Sequence, residues 1–323
     1  MTVLTQFELN EDLVQIMKDA DPDLVLKLAR SHEERLEAAA EADVIFSSYD
    51  GESPADFKEL LKRAKKVRWI HTSTAGVDKL ISPELKETCA IFTCTKGAVA
   101  GPLLAEHAMA LLLSVSRNIG IAVKAGRWDR SGTSGRTSTE LRGKTMGIVG
   151  FGGSGQALAQ MAHGFGMKVL ALKRTAGRSP IKGIEKVWGR ERLHELLEKS
   201  DVVAICAPGT PETKDMFGPE EFKLMKQTAI IINIGRGDII NETALVAALQ
   251  NGEIAAAGLD VLATEPVMDD HPFWKMENVV LTPHIAGNSP YRNARNKLTF
   301  AENFCRFIRG ELLEGAVQID VGY

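Results

Sequence analysis

The sequence predicts an α/β protein built on doubly wound parallel sheets, and three observations support this fold class. Short apolar runs of strand length alternate along the chain with amphipathic runs of helical period. A polar stretch rich in Gly, Ser and Thr, residues 127–141, interrupts the alternation and indicates a loop between two units. The chain has 323 residues, enough for about two domains. Strand–helix alternation of this kind places helices on both faces of a parallel sheet.

Before the polar stretch, three apolar runs predict buried strands, and the segments around them predict helices. The strands are residues 42–47, 67–70 and 90–93. Amphipathic patterns predict helices at residues 54–65 and Pro83–Glu87, and a strongly apolar helix covers residues 103–115. We interpret these elements as the first α/β unit.

After the polar stretch the alternation restarts at Thr145 and predicts six strands, enough for one complete doubly wound domain. The strands are residues 145–150, 167–172, 201–207, 229–234, 255–261 and 279–284. Helices are predicted between them at residues 156–164, 190–199, 219–225 and 242–251. A last helix, residues 290–309, follows the sixth strand and could return the chain to the first unit.

A glycine-rich loop joins the first predicted strand of this second unit to its first helix. Gly150, Gly152 and Gly155 are the glycines of a G-x-G-x-x-G pattern, and Gly153 and Ser154 occupy two of its variable positions. The first glycine allows a tight turn, the second lets the backbone approach a pyrophosphate, and the third lets helix pack on strand. The pattern alone is weak among 29 glycines, but its position between strand and helix predicts a dinucleotide site.

We therefore predict two domains of different function. Residues 102–290 form a Rossmann-type, dinucleotide-binding domain. Residues 1–101 and 291–323 together form a smaller α/β domain that is discontinuous in sequence.

The second predicted strand of the dinucleotide domain ends in two cations. An NAD site usually has an acidic residue about 20 residues after the glycines, where it binds the ribose hydroxyls. This chain has Lys173 and Arg174 there instead. Cations can pair with the 2′-phosphate of NADP, so the pattern favours NADP over NAD.

Composition and charge exclude several other classes of protein. The net charge is −3, and no basic stripe or tail is present, so we expect no nucleic-acid partner. No apolar run approaches the ~20 residues of a membrane span, and no signal peptide is apparent, so we expect a cytoplasmic protein. None of the four cysteines belongs to a C-x-x-C pair, which predicts free thiols and no metal site.

Three polar residues follow predicted strands of the dinucleotide domain. Arg236, Glu265 and His284 each stand at or just beyond a strand end, where the ligand crevice of a doubly wound sheet lies. A guanidinium can clamp a carboxylate, an imidazole can exchange a proton with a ketone oxygen, and a neighbouring carboxylate fixes the imidazole tautomer. Singly each residue is more often structural, but together behind a nucleotide loop they indicate reduction of a 2-oxo acid.

The chain resembles the D-isomer-specific 2-hydroxyacid dehydrogenase family. Members include glyoxylate/hydroxypyruvate reductases, D-lactate, phosphoglycerate and formate dehydrogenases. The segments that carry the resemblance are STAGVD (73–78), LAEHAMALLL (104–113), LRGKTMGIVGFGGSG (141–155), the stretch from INIGRGD to LATEP (232–266) and NVVLTPHIAG (278–287).

The resemblance implies that the smaller domain is flavodoxin-like and binds the substrate, and it implies roles for individual residues. It implies Arg236 as substrate clamp, His284 as acid/base and Glu265 as its partner, and it places the backbone amides of Ala75 and Gly76 on the substrate carboxylate. It also places Ala207, Pro208 and Thr213 along the cofactor, Asp260 and Gly287 at the nicotinamide carboxamide, and Ile234 behind the ring. Many members have Asp where this chain has Lys173, a departure that looks like the NADP-preferring reductases. A homodimer joined through the nucleotide domains is also implied.

Two other functions compete with a 2-oxo acid reductase. One is a formate or phosphonate dehydrogenase, although formate enzymes typically have Gln where this chain has Glu265 before Pro266. The other is a nucleotide-sensing binding protein, like the transcriptional corepressors that share this fold. The sequence leaves the substrate side chain open, because we expect its pocket to form from residues 48–53 and from the last helix near Tyr291 and Arg292.

Overall fold

A computed structural model describes residues 1–48, 53–97, 99–128, 138–179, 181, 183, 184 and 186–322. The chain divides into two compact units. Unit 1 contains Met1–Ala100 and Ser289–Tyr323, and unit 2 contains Gly101–Asn288. Part of the predicted substrate loop (residues 49–52) and most of the polar stretch (residues 129–137) lie outside the described residues.

Unit 1 is built on a five-stranded parallel sheet. Its strands are β1 (Thr2–Thr5), β2 (Val25–Leu28), β3 (Val44–Ser47), β4 (Trp69–Thr72) and β5 (Ile91–Cys94). Its helices are α1 (Glu11–Ala20), α2 (His32–Ala38), α3 (Pro54–Arg63), α4 (Pro83–Glu87) and, after unit 2, α11 (Arg292–Ile308). The strand order β2-β1-β3-β4-β5 is flavodoxin-like, as predicted.

Both faces of this sheet are covered by apolar side chains. One face packs on Phe57, Leu60 and Leu85 from α3 and α4. The other face packs on Met17 from α1 and on Phe300 and Phe304 from α11, which are fully buried. The residues of α11 therefore complete a core whose strands all lie at least 190 positions earlier in the chain.

Unit 2 is built on an eight-stranded sheet. Its strands are β6 (Thr145–Val149), β7 (Lys168–Leu172), β8 (Gly177–Arg178), β9 (Lys186–Trp188), β10 (Val202–Ile205), β11 (Ile230–Asn233), β12 (Ala256–Leu259) and β13 (Val279–Leu281). Its helices are α5 (Ala100–Ser116), α6 (Ile119–Ala125), α7 (Gly153–Gly164), α8 (Leu193–Lys199), α9 (Pro219–Leu224) and α10 (Glu242–Gln250). Apolar clusters cover both faces of the sheet, so it is doubly wound.

The strand order of unit 2 is β13-β12-β11-β10-β6-β7-β9-β8. All neighbours are parallel except β8 and β9, which are antiparallel. The prediction of six strands was therefore too low by two. β8 has two residues and β9 has three, too few to show an apolar period in the sequence.

No single helix among the described residues is long and apolar enough to cross a membrane; α5 and α6 pass the length and composition test only as a pair bent by 69°.

Candidate active site

The glycine-rich loop lies where the strand order of unit 2 reverses, between β6 and β10. Gly150 has a positive φ of 102°, and a Cβ on it would lie 2.5 Å from the backbone nitrogen of Ala207. A Cβ on Gly155 would lie 2.1 Å from the carbonyl oxygen of Gly150. Both positions therefore require glycine, because the loops after β6 and β10 and the start of α7 meet there without room for a side chain.

The start of α7 offers unpaired backbone donors. The helix begins at Gly153, three residues earlier than predicted, so Gly153, Ser154 and Gly155 form its first turn. Their amides donate to no other described residue, and a Cβ on Gly152 would meet nothing within 4 Å. Free N–H groups at a helix N-terminus with open space beside them suit a phosphate group.

The end of β7 carries the two predicted cations. The backbone amide of Lys173 donates to the carbonyl of Trp188 on β9, so Lys173 extends the pairing of β7 with β9 by one residue. Its side chain is half-buried and that of Arg174 is exposed. A hydrogen bond from the Thr210 hydroxyl is the main cause that holds the pKa of the Glu212 carboxyl below its usual range, and the charges of Arg190 and Arg174 act in the same direction. Arg190 therefore belongs to the same basic surface, although it was not predicted from the sequence.

The loop after β10 is closed by Thr213. Its hydroxyl donates to the carbonyl of Pro208 at 2.8 Å and accepts the amide of Thr210 at 2.8 Å. Ala207 is buried beside the glycine-rich loop. Ile234, which follows β11, is buried, and its amide donates to the carbonyl of Ile205. These residues all stand at the carboxyl edge of the sheet.

Arg236 is held by close packing of the backbone on either side of it. A Cβ on Gly235 would lie 2.6 Å from the carbonyl oxygen of Ala207, and a Cβ on Gly237 would lie 1.9 Å from the carbonyl carbon of Leu262. Buried Asn233 donates to the carbonyl of Arg236 at 2.9 Å and accepts the amide of Gly235 at 3.0 Å. The half-buried guanidinium is thus carried on a rigid turn.

Glu265 and His284 are in direct contact. Nδ1 of His284 lies 2.7 Å from Oε2 of Glu265, and the other oxygen, Oε1, accepts the amide of Leu262 at 3.0 Å. A carboxylate only accepts, so Nδ1 carries the hydrogen and Nε2 is left for exchange. About half of the His284 side chain is exposed to solvent.

The loop that carries His284 is fixed by a buried carboxylate. Asp260 accepts the hydroxyl of Thr282 at 2.7 Å and the amides of Ile285 and Ala286 at 3.0 and 2.9 Å. Its backbone carbonyl accepts the amide of His284 at 2.9 Å. His284 has a positive φ of 52°, which is uncommon for a residue other than glycine. Asp260 holds the loop in that conformation.

His107 extends this network, and neither it nor Thr282 was predicted. Nε2 of His107 lies 2.8 Å from the Thr282 hydroxyl and 3.3 Å from Oδ1 of Asp260. His107 lies on α5, whose Leu111 packs closely against Gly258 of β12. The one signal in the sequence was an ionisable residue within the apolar run LAEHAMALLL. The partner of His107, Thr282, is 175 positions away.

The turn STAGVD belongs to unit 1 and follows β4. The carbonyl of Ser73 accepts the hydroxyl of Thr95 at 3.0 Å, the amide of Asn296 at 3.0 Å and the guanidinium of Arg292 at 3.5 Å. The amides of Ala75 and Gly76 donate to no described residue. The turn is therefore fixed while two adjacent donors stay available. Tyr291, the other residue predicted on the last helix, is largely exposed.

Six segments of unit 2 thus gather at one edge. All of them follow the carboxyl ends of parallel strands. They are the glycine loop, Lys173 and Arg174, the loop 207–213, Ile234 and Arg236, Asp260 and Glu265, and His284 with half-buried Gly287. Such an edge offers phosphate donors, a guanidinium and an imidazole held by a carboxylate. It can bind a dinucleotide and exchange one proton.

Comparison with known proteins gives a family and several relatives. The model for the D-isomer specific 2-hydroxyacid dehydrogenase, NAD binding domain, matches residues 109–286. A glyoxylate reductase from Aeropyrum pernix is 36% identical over 299 residues, which cover 90% of this chain and 87% of the relative. A glyoxylate/hydroxypyruvate reductase B from Klebsiella pneumoniae is 35% identical over 328 residues and 99% of both chains.

Among solved structures, a D-isomer specific 2-hydroxyacid dehydrogenase from Xanthobacter autotrophicus, in complex with NADPH and MES, has a similar fold. The TM-score is 0.79 at 26% identity, with 100% of this chain and 99% of that chain covered.

Proposed function

The chain belongs to the D-isomer-specific 2-hydroxyacid dehydrogenase family, and we propose that it is an oxidoreductase that transfers a hydride between NAD(P)H and a small 2-oxo acid or its D-2-hydroxy acid. The observation that carries this proposal is the 2.7 Å contact between His284 and Glu265, at the same sheet edge as the phosphate-binding loop. The names of the relatives make glyoxylate and hydroxypyruvate the first substrates to test.

The protein's own contribution to the chemistry is a proton. When bound, the nicotinamide supplies or accepts the hydride. Nε2 of His284 donates a proton to the carbonyl oxygen of the 2-oxo acid, and in the reverse direction it accepts the proton of the alcohol. Glu265 keeps the hydrogen on Nδ1 and compensates the charge of the imidazolium that reprotonation creates.

We assign the substrate carboxylate to donors of two kinds. The guanidinium of Arg236 can form two parallel hydrogen bonds with it. The free amides of Ala75 and Gly76 in unit 1 are the uncharged donors that family resemblance assigns to the same group. Their lack of described partners supports this assignment.

The dinucleotide is assigned to the remaining residues of the edge. The amides of Gly152 to Gly155 would hold the pyrophosphate, and the open space at Gly152 fits that group. Ala207, Pro208 and Thr213 would lie along the cofactor, and Ile234 would lie behind the nicotinamide ring. Asp260 and Gly287 would meet the carboxamide, for which Oδ2 of Asp260, with one described donor, retains accepting capacity.

We propose NADP rather than NAD as the cofactor because Lys173 and Arg174 stand where an acid would bind the ribose. The test compares kcat/KM for NADPH and NADH. In the double variant Lys173→Ala, Arg174→Ala, the KM for NADPH should rise about tenfold to hundredfold, the usual worth of a charge-assisted contact, while the KM for NADH changes little.

A matched control removes two exposed lysines from the amino ends of the neighbouring strands β7 and β9. Lys168→Ala with Lys186→Ala changes the net charge equally at the starts of β7 and β9, and it should leave both KM values unchanged. Equal or better kcat/KM with NADH in the wild-type enzyme would contradict the NADP assignment.

The reaction class is tested by turnover of glyoxylate, hydroxypyruvate, pyruvate and phenylpyruvate with NADPH and NADH. Reduction of one or more of them is expected. Oxidation of formate or phosphonate with no reduction of 2-oxo acids would favour the first alternative. Tight binding of the dinucleotide with no turnover would favour a nucleotide-sensing binding protein.

We also propose a homodimer in a reducing, cytoplasmic compartment. The dimer is what family resemblance implies, and sedimentation velocity of the full chain tests it. The compartment is supported by the free state of all four cysteines.

A further inference from the structure

Lys96 is a cation that the proposed function leaves without a role. It follows Thr95 at the carboxyl end of β5, next to the turn STAGVD at the end of β4, and the two strands are parallel neighbours. The amide of Thr95 donates to the carbonyl of Thr74 at 3.2 Å, and Sγ of Cys94 lies 3.7 Å from the carbonyl oxygen of Ala75. Lys96 therefore belongs to the same edge of unit 1 as the free amides of Ala75 and Gly76.

Among the described residues, the ammonium group of Lys96 has no counter-charge. Its side chain is half-buried, yet it forms no ion pair or hydrogen bond with any described residue. Lys226 in unit 2 is also half-buried, and its ammonium lies 3.0 Å from a carboxylate oxygen of Asp201. Burial lowers the pKa of Lys96, with the neighbouring Cys94 acting in the opposite sense. An unpaired cation that has lost part of its hydration gains most from an anion that arrives as a ligand.

We propose that Lys96 binds a second anionic group of the substrate, so that the enzyme favours 2-oxo acids with two negative charges, such as 2-oxo dicarboxylates. This inference rests on the proposed function, in which Arg236 and two neutral amides already serve the carboxylate next to the keto group. A monoanionic substrate leaves the charge of Lys96 uncompensated. A dicarboxylate supplies the missing negative charge, and the charge-assisted contact contributes to its binding.

The test uses pairs of substrates of similar length that differ in the charge of the distal group. The pairs are 2-oxobutanedioate with 2-oxopentanoate, and 2-oxopentanedioate with 2-oxohexanoate, each at saturating NADPH with the full-length enzyme. We expect the wild-type enzyme to have the higher kcat/KM for a dicarboxylate in at least one pair. Lys96→Met should lower that dicarboxylate-to-monocarboxylate ratio by about tenfold to hundredfold, mainly through KM, and Lys96→Arg should retain part of it.

Lys79→Met is the matched control, since Lys79 is exposed four residues after Ala75 and has no assigned role. Its ratios should equal those of the wild type. A higher kcat/KM for the monocarboxylates in both pairs would overturn the proposal. So would an equal loss for both members of each pair in Lys96→Met, because Lys96 would then serve the common carboxylate or the fold.

A binding measurement separates this proposal from the reaction class. Titration calorimetry with enzyme saturated with NADP⁺ compares hydroxymalonate, a dianion, with glycolate, a monoanion. If the wild type reduces no 2-oxo acid, but binds hydroxymalonate more tightly than glycolate and loses that preference in Lys96→Met, the reaction class fails and the anion site stands. If it shows no preference for the dianion, the anion site fails whatever the turnover.

Discussion

Two histidines of this protein occupy opposite environments. His284 lies in the loop after β13, about half exposed, with Nδ1 2.7 Å from Glu265. His71 lies within β4 and is fully buried, 5.4–6.0 Å from the rings of Phe46, Trp69 and Phe300. Its Nδ1 lies 2.6 Å from the Thr93 hydroxyl, and its Nε2 has no described partner.

The difference shows what makes an imidazole reactive in this fold. His284 has a carboxylate partner on Nδ1 and an exposed side chain, the arrangement that an acid/base group uses to exchange a proton with a ligand. Burial lowers the pKa of His71 to about 3, and no described residue gives it a charged partner, so that it stays neutral. Parallel strands bury the residues within them and expose the loops at their carboxyl ends, and position along the strand therefore separates the two roles.

The largest expected effect concerns His284. In His284→Ala, kcat for reduction of a 2-oxo acid should fall by ~10²- to 10⁴-fold, the usual worth of a positioned acid/base. The thermal midpoint should stay near the wild-type value because the side chain is half-exposed. His194→Ala is the control, since His194 is also exposed, lies 3.3 Å from a carboxylate, Glu221, and has no role in the proposed mechanism. A near-normal kcat in His284→Ala would show that His284 is not the acid/base group, and the two histidines would then not differ in reactivity.

Arg236→Lys should reduce kcat/KM for 2-oxo acids about tenfold to hundredfold, although the charge is kept. A lysine ammonium cannot reproduce the two parallel hydrogen bonds of a guanidinium. Steady-state kinetics should show little change in the KM for NADPH. If substrate and cofactor KM values rise together, Arg236 supports the fold of the edge rather than the substrate.

His71 should make the stability of the protein depend on pH. Its pKa is near 3 in the folded chain and 6.5 in the unfolded chain, so the unfolded chain takes up the proton first as the pH falls. The contribution of neutral His71 to the free energy of unfolding is intact above pH 6.5. It is lost between pH 6.5 and 3, by about 1.4 kcal/mol per pH unit.

Urea unfolding at pH 7, 6 and 5 measures this slope. The slope should be smaller in His71→Gln by about that amount. The control is His32→Gln, which replaces a half-buried histidine of unit 1 that pairs with Glu59. This variant should keep the wild-type slope. Equal slopes in wild type and His71→Gln would show that His71 becomes protonated without unfolding.

The smallest effect is expected for Thr282→Val, which removes the hydroxyl between His107 and Asp260. Loss of one such hydrogen bond costs about 1–2 kcal/mol, so kcat should fall roughly 5- to 30-fold. Asn288→Ala serves as the control in the same kinetic assay, since Asn288 is exposed in the same segment. An unchanged kcat would mean that the backbone amides of residues 285 and 286 hold the His284 loop without the side-chain network.

The fold class and the family were predictable because their signals are local. Apolar periods gave the long strands, and a glycine pattern between strand and helix marked the nucleotide loop. β1, β2 and α1 were not predicted because their four- and ten-residue stretches mix polar and apolar residues; β2 has no fully buried residue. β8 and β9 are shorter still.

The site was predictable one residue at a time but not as a network. Arg236, Glu265 and His284 could be placed because each follows a strong strand, and the structure adds that Glu265 and His284 touch. Asn233, His107 and Thr282 were missed because their importance lies in contacts that sequence spacing does not encode. Lys96 was missed because its half-burial depends on how the ends of β4 and β5 come together.

The interrupted course of unit 1 has a consequence for synthesis on the ribosome. Phe300 and Phe304 of α11 fill the core against strands made some 200 residues earlier. Until residues 289–323 leave the exit tunnel, one face of the five-stranded sheet exposes Phe46 and Trp69 to water and to chaperones. All of unit 2 is synthesised before then, so the order of translation lets it fold first, and unit 1 is completed only after residues 289–323 emerge.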